Sequence, residues 1–303
     1  MIMLNNNLRI FITAAELESL TEAAKKLYIS QPSLTAAIHL LEDEININIF
    51  SRSKTGIKVT SEGAEFIGYA RQVLEQYELL DSKYISKTNA KKRFSVSTQH
   101  YTFAVDAFMN VIKRFGMDEY DFAVYETMTH TVIENVKNNR SELGILYLND
   151  FNRQVLEKIF VQEELTFTPF LECSIYAYMA KTNPLAKQKE VSMDDLQNFP
   201  CLAFDQGEYN SFYFAEEVLS TWNYKQIIRA CDRATLLNLM KGVNGYTLCS
   251  GIICRELNGK DYCAVKLKLD EKMHIGYLTR NNSFLSDLAK EYIEELKKYK
   301  PLD

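Results

Sequence analysis

The feature that most constrains the fold of this 303-residue chain is the stretch ISQPSLTAAIHLLEDEI, which runs from Ile29 to Ile45. Ser30 can accept a hydrogen bond from an orphan amide at a helix start, and Pro32 in the first turn costs no helical hydrogen bond. The large apolar residues then recur at spacings of four, three and four: Leu34, Ile38, Leu41 and Ile45. This spacing predicts a helix that packs by one side only.

The side chains on the opposite side of this predicted helix are mostly small. At about 100° per residue, Pro32, Ala36 and His39 lie roughly opposite the apolar stripe, and Thr35 lies on its flank. One interpretation is an amphipathic surface helix whose alanines contact nothing. The other is a helix whose small face approaches another molecule closely, and the neighbouring sequence favours this second interpretation.

The sequence around the stretch predicts a helix-turn-helix. A capping box at Ser19–Glu22 begins a preceding helix, and a short turn separates that helix from the stretch. A hairpin is predicted at 53–60, with a glycine at its tip and two basic residues, Lys54 and Lys58. A helix-turn-helix with a basic wing places one helix in the major groove and the wing beside phosphates.

A set of short motifs runs continuously over residues 4–65: Ser19-x-Thr21-x-Ala23-Ala24, Leu27, Ser30-Gln31-Pro32-Ser33-Leu34-Thr35, Ile38, Leu41-Glu42, Phe50-x-Arg52 and Thr60-x-x-Gly63. In these residues the chain resembles the LysR-type transcriptional regulators. The resemblance implies that a set of residues faces base edges: Gln31, Pro32, Thr35 and Ala36. It also implies that Ser30 and Ser33 lie near the DNA backbone, and that Arg52 and the wing hold phosphates.

One position departs from the family pattern. The residue after Thr35 is often basic in the family and is Ala36 here, followed by Ala37. The change removes a guanine reader and leaves Gln31, Thr35 and His39 as base readers, together with methyl contacts to thymine. Residues 1–93 carry a net charge of only +1 within a chain of −5, so DNA contact must come from a few placed groups.

The next segment predicts a long connecting helix. Six residues repeat at alternating spacings of four and three, as in a coiled-coil seam: Phe66, Ala70, Val73, Tyr77, Leu80 and Tyr84. A dimerising helix is the favoured interpretation, and a helix packed inside its own chain is the alternative. A two-fold dimer would present two recognition helices to a roughly palindromic promoter site, and the family also forms tetramers.

From residue 93 onward, strand and helix patterns alternate. Strands are predicted at 94–98, 121–125, 143–148, 175–180, 201–204, 227–230, 245–249, 263–269 and 274–278, and helices at 103–115, 132–136, 212–222, 236–240 and 285–299. Alternating βα units predict parallel sheets covered by helices. Two extended segments, 165–172 and 264–269, are predicted to cross between two lobes.

The resemblance implies the same architecture: an N-terminal all-α winged helix-turn-helix, a long linker helix, and an α/β two-lobed effector domain of the periplasmic-binding-protein type 2 fold. The expected domains are the DNA-binding domain at 1–60, the dimerising helix and hinge at 61–92, and the effector-binding domain at 93–303. Within the last, lobe I covers about 93–164 and 270–303, and lobe II covers about 165–269.

Two predicted strands of the first lobe end in hydrogen-bonding residues, Thr98-Gln99-His100 and Thr127-Met128-Thr129. Ordinary helix caps would explain either end alone. In open α/β sheets, however, ligands gather at the carboxyl ends of strands. The resemblance places the effector cleft there, with Tyr147 and Phe204 lining it.

Several other functions are disfavoured. The sequence has no P-loop, no G-x-S-x-G, no H-E-x-x-H and no G-x-G-x-x-G, so an enzyme is not expected, and no catalytic residue, metal or cofactor is predicted. A solute-binding protein would lack residues 1–90 and carry an export signal, whereas the N-terminal residues have no signal pattern. No apolar run reaches the length of a membrane span.

The sequence therefore predicts a cytoplasmic, DNA-binding transcriptional regulator controlled by a small-molecule effector between two lobes. Its expected partners are double-stranded DNA, the effector, a second copy or three further copies of the chain, and RNA polymerase if the protein activates. The alternative is a redox-sensing regulator that uses second-lobe cysteines. Cys201, however, falls inside a predicted strand, and the loop 205–211 after it contains no cysteine.

Overall fold

The computed structural model describes residues 2–53, 56–81, 92–114, 119–281 and 283–302. The chain divides into two compact units. The first comprises residues 1–92 with 138–140, and the second comprises residues 93–137 with 141–303.

The first unit is helical with one small hairpin. Its elements are α1 (Ile2–Leu17), α2 (Leu20–Lys26), α3 (Gln31–Ile45), β1 (Phe50–Ser53), β2 (Gly56–Val59) and α4 (Ser61–Leu80). The hairpin is longer than predicted, because Phe50 already pairs with Val59 and the antiparallel register continues to Ser53 and Gly56. The predicted helix-turn-helix and the hairpin are otherwise present at the expected places.

One apolar core holds this unit together. Its buried members come from the four helices, from β2 and from the residue before β1: Phe11, Ala14, Ala23, Ala24, Leu34, Ile38, Ile49, Ile57 and Ile67. The two predicted helix starts are capped as expected, since the Ser19 and Ser30 hydroxyls accept from the amides of Glu22 and Ser33. A left-handed Asn46 ends α3, which turns the chain towards the hairpin.

The second unit contains two sheets, each with its own helices. Lobe I has five strands in the order β4-β3-β5-β13-β6. These strands are β3 (Lys92–Thr98), β4 (Tyr120–Glu126), β5 (Leu143–Leu148), β6 (Leu165–Cys173) and β13 (Met273–Arg280). Its helices are α5 (Thr102–Ile112), α6 (Thr129–Lys137), α7 (Arg153–Gln162) and α11 (Asp287–Leu296).

Lobe II has six strands in the order β10-β9-β11-β7-β12-β8. They are β7 (Tyr176–Ala180), β8 (Glu190–Val191), β9 (Cys201–Phe204), β10 (Ile227–Ala230), β11 (Tyr246–Cys249) and β12 (Tyr262–Leu267). The helices are α8 (Met193–Leu196), α9 (Arg233–Gly242) and α10 (Arg255–Asn258), with short 3-10 turns at Pro184–Lys187, Gly207–Tyr209 and Phe212–Phe214.

Three features of the second unit differ from the prediction. The sheets are mixed, since β13 runs antiparallel to both β5 and β6, and β7 runs antiparallel to both β11 and β12. The strand β6 pairs with β13 inside lobe I, so the lobe boundary predicted at residue 165 falls too early, and the chain crosses at 174–175. The return crossing lies at 268–272, because most of the predicted 264–269 crossing belongs to β12.

The third difference concerns the helix predicted at 212–222. The chain there forms only the 3-10 turn Phe212–Phe214, followed by irregular backbone. Adjacent Glu216 and Glu217 are both buried and hydrogen-bonded inward, and Leu219 has a left-handed φ of 58°. A one-sided surface helix cannot bury two neighbouring carboxylates in this way, so specific polar contacts override the apolar spacing.

Candidate functional site

The start of α3 is fixed by its own side chains. The Ser30 hydroxyl accepts from the amide of Ser33 at 3.2 Å and lies 2.7 Å from the Ser33 hydroxyl. The Thr35 hydroxyl donates to the carbonyl oxygen of Gln31 at 3.0 Å. These bonds order the first turn without help from another element.

The two faces of α3 have opposite environments. Leu34 and Ile38 are buried in the core of the first unit. The predicted base-reading face is open to solvent, with five exposed residues: Gln31, Pro32, Ser33, Ala36 and His39. Thr35 is half-buried on the flank. The helix is therefore held from behind and presents a small, polar surface outward.

The Glu42 side chain ties the far end of α3 to the hairpin. One of its oxygens accepts from the amides of Ile49 and Phe50, at 2.7 and 3.0 Å. The carboxylate is almost fully buried, and His39 lies 3.5 Å from its other oxygen. Two charge-assisted bonds from one carboxylate fix the position of β1 relative to α3.

The same end of the hairpin, where the chain leaves β2, is held by Thr60 and Gly63. The Thr60 hydroxyl donates to the carbonyl oxygen of Asn48 at 2.5 Å and accepts from the Gly63 amide at 2.9 Å. A Cβ on Gly63 would lie 2.1 Å from the carbonyl oxygen of Ile49, so a side chain has no room there. This close approach is the physical reason for the Thr60-x-x-Gly63 motif.

The basic residues predicted for the wing are only partly visible. Lys58 lies on β2 with an exposed side chain. Arg52 belongs to β1, but its side chain and all of Lys54 lie outside the described residues.

The α4 helix packs inside its own chain with part of the predicted dimer seam. Ala70 is 3% exposed and clusters with Leu8 and Leu74, and Phe66 packs against the same cluster. These two seam positions therefore belong to an intramolecular contact with α1, in agreement with the alternative interpretation. Val73 is 48% exposed and Tyr77 is half-buried. The Leu80 side chain and Tyr84 lie outside the described residues.

In the second unit, Gln99 joins two of the predicted polar strand ends. The side-chain nitrogen of Gln99 donates to the Thr129 hydroxyl at 2.6 Å. Its side-chain oxygen accepts from the Tyr101 hydroxyl at 3.0 Å and from the Tyr147 amide at 3.2 Å. Gln99 and Thr129 are each 1% exposed. Two of the predicted cleft residues, Gln99 and Thr129, are thus brought together, and both are buried.

The other predicted cleft residues surround this bond. Thr98 is fully buried, and its hydroxyl donates to the backbone carbonyl of Gln99, while its own carbonyl accepts from the Thr127 amide. The His100 ring stacks on Phe204 of lobe II, with ring centroids 3.8 Å apart. The Tyr147 hydroxyl donates to the Ala215 carbonyl at 3.1 Å.

A side chain of the protein itself satisfies the backbone amide at the start of α6. The side-chain oxygen of Gln206 accepts from the Thr129 amide at the start of α6, at 3.0 Å, where the resemblance would place an effector. The side-chain nitrogen of Gln206 donates to the Glu216 carboxylate at 3.0 Å. Glu216 also accepts from the amide of His100 and contacts its Nδ1, both at 2.9 Å.

Sequence reasoning missed Gln206, Glu216 and Glu217. All three are buried and lie in the irregular segment after β9. A Glu-Glu pair inside a predicted helix carried no signal that both carboxylates would turn inward.

A cavity of about 90 Å³ lies between the lobes beside this network. His100 and Thr102 border it from lobe I, and Phe204, Glu217 and Arg233 border it from lobe II. Two contacts bridge the lobes at its rim. Arg233 forms an ion pair with Glu126, and the Thr102 hydroxyl donates to Asn258 at 3.2 Å.

The cysteines give little support to redox sensing. All six are free thiols, and two of them, Cys201 and Cys254, are buried in lobe II, where burial raises the pKa of each thiol to about 12. A thiol held protonated is a poor nucleophile towards peroxide or disulfide. Cys231 is exposed.

The described residues contain neither a metal site nor a membrane span. No group of three or more histidine, cysteine or acidic residues among them is arranged to hold a metal ion. Among the helices that the structure describes, none has the length and apolar character to cross a bilayer.

Known transcriptional regulators are similar in sequence to this chain. The HTH-type regulator YofA of Bacillus subtilis is 29% identical over 148 residues, which cover 48% of this chain and about half, 51%, of YofA. The uncharacterised HTH-type regulator YbhD of Escherichia coli is 22% identical over 293 residues, covering 95% of this chain and 89% of YbhD.

Solved structures show the same fold. A full-length variant of OxyR from Pseudomonas aeruginosa superposes with a TM-score of 0.67 at 18% identity, covering 97% of this chain and 93% of that one. Full-length CbnR in complex with its target DNA superposes with a TM-score of 0.55 at 16% identity, covering 97% of this chain and 99% of that one.

Family models account for nearly the whole sequence. The bacterial regulatory helix-turn-helix model of the lysR family matches residues 5–64, and the LysR substrate binding domain matches residues 98–300. The chain therefore belongs to the LysR family of bacterial helix-turn-helix transcriptional regulators.

Proposed function

We propose that residues 1–60 bind duplex DNA sequence-specifically by inserting the exposed face of α3 into the major groove. The observation that carries the proposal is the contrast between buried Leu34 and Ile38 and exposed Gln31, Ala36 and His39. A glutamine side chain reads adenine by two hydrogen bonds, and an alanine methyl packs on the methyl of thymine. We expect Ser30 and Ser33, at the helix start, to lie near the DNA backbone.

We propose that the wing supplies the phosphate contacts. Lys58 lies on β2, and Glu42 fixes β1 to the recognition helix, so the wing and the helix move as one body. In the sequence, Arg52 and Lys54 are the other two basic residues of the proposed wing. Because phosphate contacts carry no base information, their loss should weaken binding to all sequences alike.

We propose a homodimer formed by α4, with a tetramer as the further assembly. Ala70 and Phe66 already pack on α1, so the proposed contact uses the outward residues Val73 and Tyr77 together with exposed Tyr69. Two copies of α3 would then read a roughly palindromic promoter site in the cytoplasm. If the protein activates, RNA polymerase is a further partner. We propose no catalytic role.

We propose that the second unit binds a small-molecule effector between its lobes. The contacts that bridge the lobes support this, because a ligand that alters them favours one arrangement of the lobes over another. An effector shifts such an equilibrium only by its differential affinity, which typically couples two sites by about 1–3 kcal/mol. The Gln206 contact to Thr129 would compete with any anion at the start of α6.

The base-reading role is tested by Gln31→Ala in the full chain. Sites are first selected from a random duplex library, and affinities are then measured by fluorescence anisotropy on a selected site and on a shuffled duplex. We expect a loss of about 1–3 kcal/mol on the selected site and a smaller loss on the shuffled one. Glu44→Gln, an exposed change at the far end of α3, should leave the ratio of affinities unchanged.

Two outcomes bear on the proposal. Equal losses on both duplexes would contradict base reading by Gln31. A Lys58→Ala variant provides the opposite pattern, since it should weaken both duplexes alike and reduce the salt dependence of binding.

A further inference from the structure

We propose that the cavity between the lobes takes a small organic ammonium ion with an apolar body. This inference rests on the proposed function of the second unit as an effector-binding domain, and it names the chemical class of the effector. Four observations lead to it: the charge around the cavity, one unpartnered hydroxyl, the engagement of the bordering arginine, and the apolar wall.

The first observation is a pair of buried acidic side chains. Glu216 and Glu217 both border the cavity and are 8% and 6% exposed. Glu216 is bonded to His100 and Gln206. Glu217 accepts from the Phe204 amide at 3.0 Å and has no ion pair among the described residues. Burial raises the pKa of Glu217 to about 8, the neighbouring Glu216 contributes to that rise, and exposed Arg229 only partly opposes them.

The second observation is the Tyr178 hydroxyl. Tyr178 borders the same cavity and is 7% exposed, yet among the described residues no group forms a hydrogen bond with its hydroxyl. Burial strongly raises the pKa of Tyr178. The nearby Asn258 side chain lowers that pKa in part, but it does not meet hydrogen-bond geometry with the Tyr178 hydroxyl, and its oxygen accepts from Thr102. An unsatisfied buried hydroxyl is unfavourable, and a ligand that supplies a donor would satisfy it.

The third observation excludes an anion as the preferred ligand. Arg233 is the one lysine or arginine among the residues bordering the cavity that the structure describes, and it is engaged by Glu126 of lobe I. A carboxylate ligand would have to displace Glu126 to reach Arg233, whereas an ammonium group favours the ionised form of Glu217. An ammonium group has three N–H donors, which suit the Glu217 carboxylate and the Tyr178 hydroxyl without disturbing the ion pair.

The fourth observation concerns the apolar wall of the cavity, which determines the character and size of the rest of the ligand. The remaining wall includes five large apolar side chains: Leu236, Leu237, Ile252, Ile253 and Met273. The volume of about 90 Å³ is smaller than the roughly 150 Å³ of an apolar cavity that holds benzene. A branched aliphatic amine of about five heavy atoms fits that space.

The test uses the full chain and three probes of matched shape: isobutylammonium, isobutanol and sodium isobutyrate. Affinities are measured by isothermal titration calorimetry at constant ionic strength. We expect isobutylammonium to bind more tightly than the alcohol and at least about tenfold more tightly than the carboxylate. Glu217→Gln should weaken amine binding about tenfold, and Tyr178→Phe should weaken it about threefold to tenfold.

The matched control is Glu208→Gln. Glu208 is an exposed carboxylate in the same segment that does not border the cavity, so its removal should leave amine binding unchanged. Should Glu217→Gln fail to fold by circular dichroism, the ranking of the three probes on the unmodified chain and the Tyr178→Phe variant decide the question.

Two results would overturn the inference: isobutyrate binding as tightly as the amine, or no probe binding at all. The same preparations are assayed for binding to the selected DNA site. Specific DNA binding without amine binding would overturn the ligand class alone. Absence of specific DNA binding would count against the proposed function, whatever the probes do.

Discussion

At the scale of single residues, two glycines differ in the space around them: one has no room for a side chain and the other has ample room. A Cβ on Gly63 would meet the Ile49 carbonyl oxygen at 2.1 Å, which is backbone and cannot turn aside. We expect Gly63→Ala to destabilise the first unit by about 1–3 kcal/mol, as overpacking does. The free energy of unfolding from urea denaturation provides the measurement.

Gly242 is the matched control for this substitution. It is the last residue of α9, and nothing lies within 4 Å of the position that its Cβ would take, so an alanine meets open space. We expect Gly242→Ala to stabilise the protein by about 0.4–1 kcal/mol, because it removes backbone freedom from the unfolded chain. Equal effects of the two substitutions would contradict the close approach at Gly63.

The buried carboxyl of Glu217 makes stability depend on pH. Its pKa is raised from 4.5 to about 8 in the folded chain, chiefly by burial. The folded state therefore holds a proton that the unfolded state has lost, and stability falls as pH rises from 4.5 through 8. Between about pH 6 and pH 8 the expected loss from this group is about 2–3 kcal/mol.

A glutamine at this position keeps the acceptor for the Phe204 amide and cannot ionise. Glu217→Gln should therefore flatten the fall in unfolding free energy between about pH 6 and pH 8, measured in urea at both pH values. If wild type and variant lose stability in parallel, Glu217 is not the titrating group.

At the scale of elements, one face of α4 packs inside the first unit and another face is exposed. Ile67, Ala70 and Leu74 are buried within the first unit, while Tyr69 and Val73 remain about half exposed. We expect Val73→Glu to produce monomers in sedimentation velocity, since it places a charge in the proposed dimer contact.

The control on the same helix is Glu75→Gln. Glu75 is exposed and lies two residues beyond Val73, about 200° further around the helix and so away from the proposed contact. Its carboxylate accepts from the Asn139 side chain at 3.1 Å, and a glutamine keeps that acceptor, so the change should leave the assembly intact. A dimer that persists unchanged in the Val73→Glu variant would exclude this face of α4 as the contact.

Elements with a strong local signal were predictable from the sequence. The caps at Ser19 and Ser30 and the stripe of Leu34 and Ile38 define helices by their own residues. The segment 212–222 has a helical apolar spacing, yet its two buried carboxylates take their partners from Gln206 and from the backbone of β9. Such contacts are set by the tertiary structure, and no local pattern encodes them.

At the scale of the whole molecule, the same limit applies to the cleft. The strand ends at Gln99 and Thr129 were predictable, because a fold with βα units gathers them at one edge of a sheet. That Gln206 would satisfy the Thr129 amide was not predictable, since it depends on how one lobe closes on the other. The sequence therefore predicts the position of the proposed ligand site better than it predicts the chemical class of the ligand.

One ratio of affinities tests most directly whether this chain recognises a DNA sequence. The affinity of the full chain is measured on a site selected from a random library and on a shuffled duplex of equal length, at about 150 mM salt. We expect the selected site to bind at least about 10³-fold more tightly, as specific regulators do. A ratio near one, with both affinities falling equally with salt, would contradict the account.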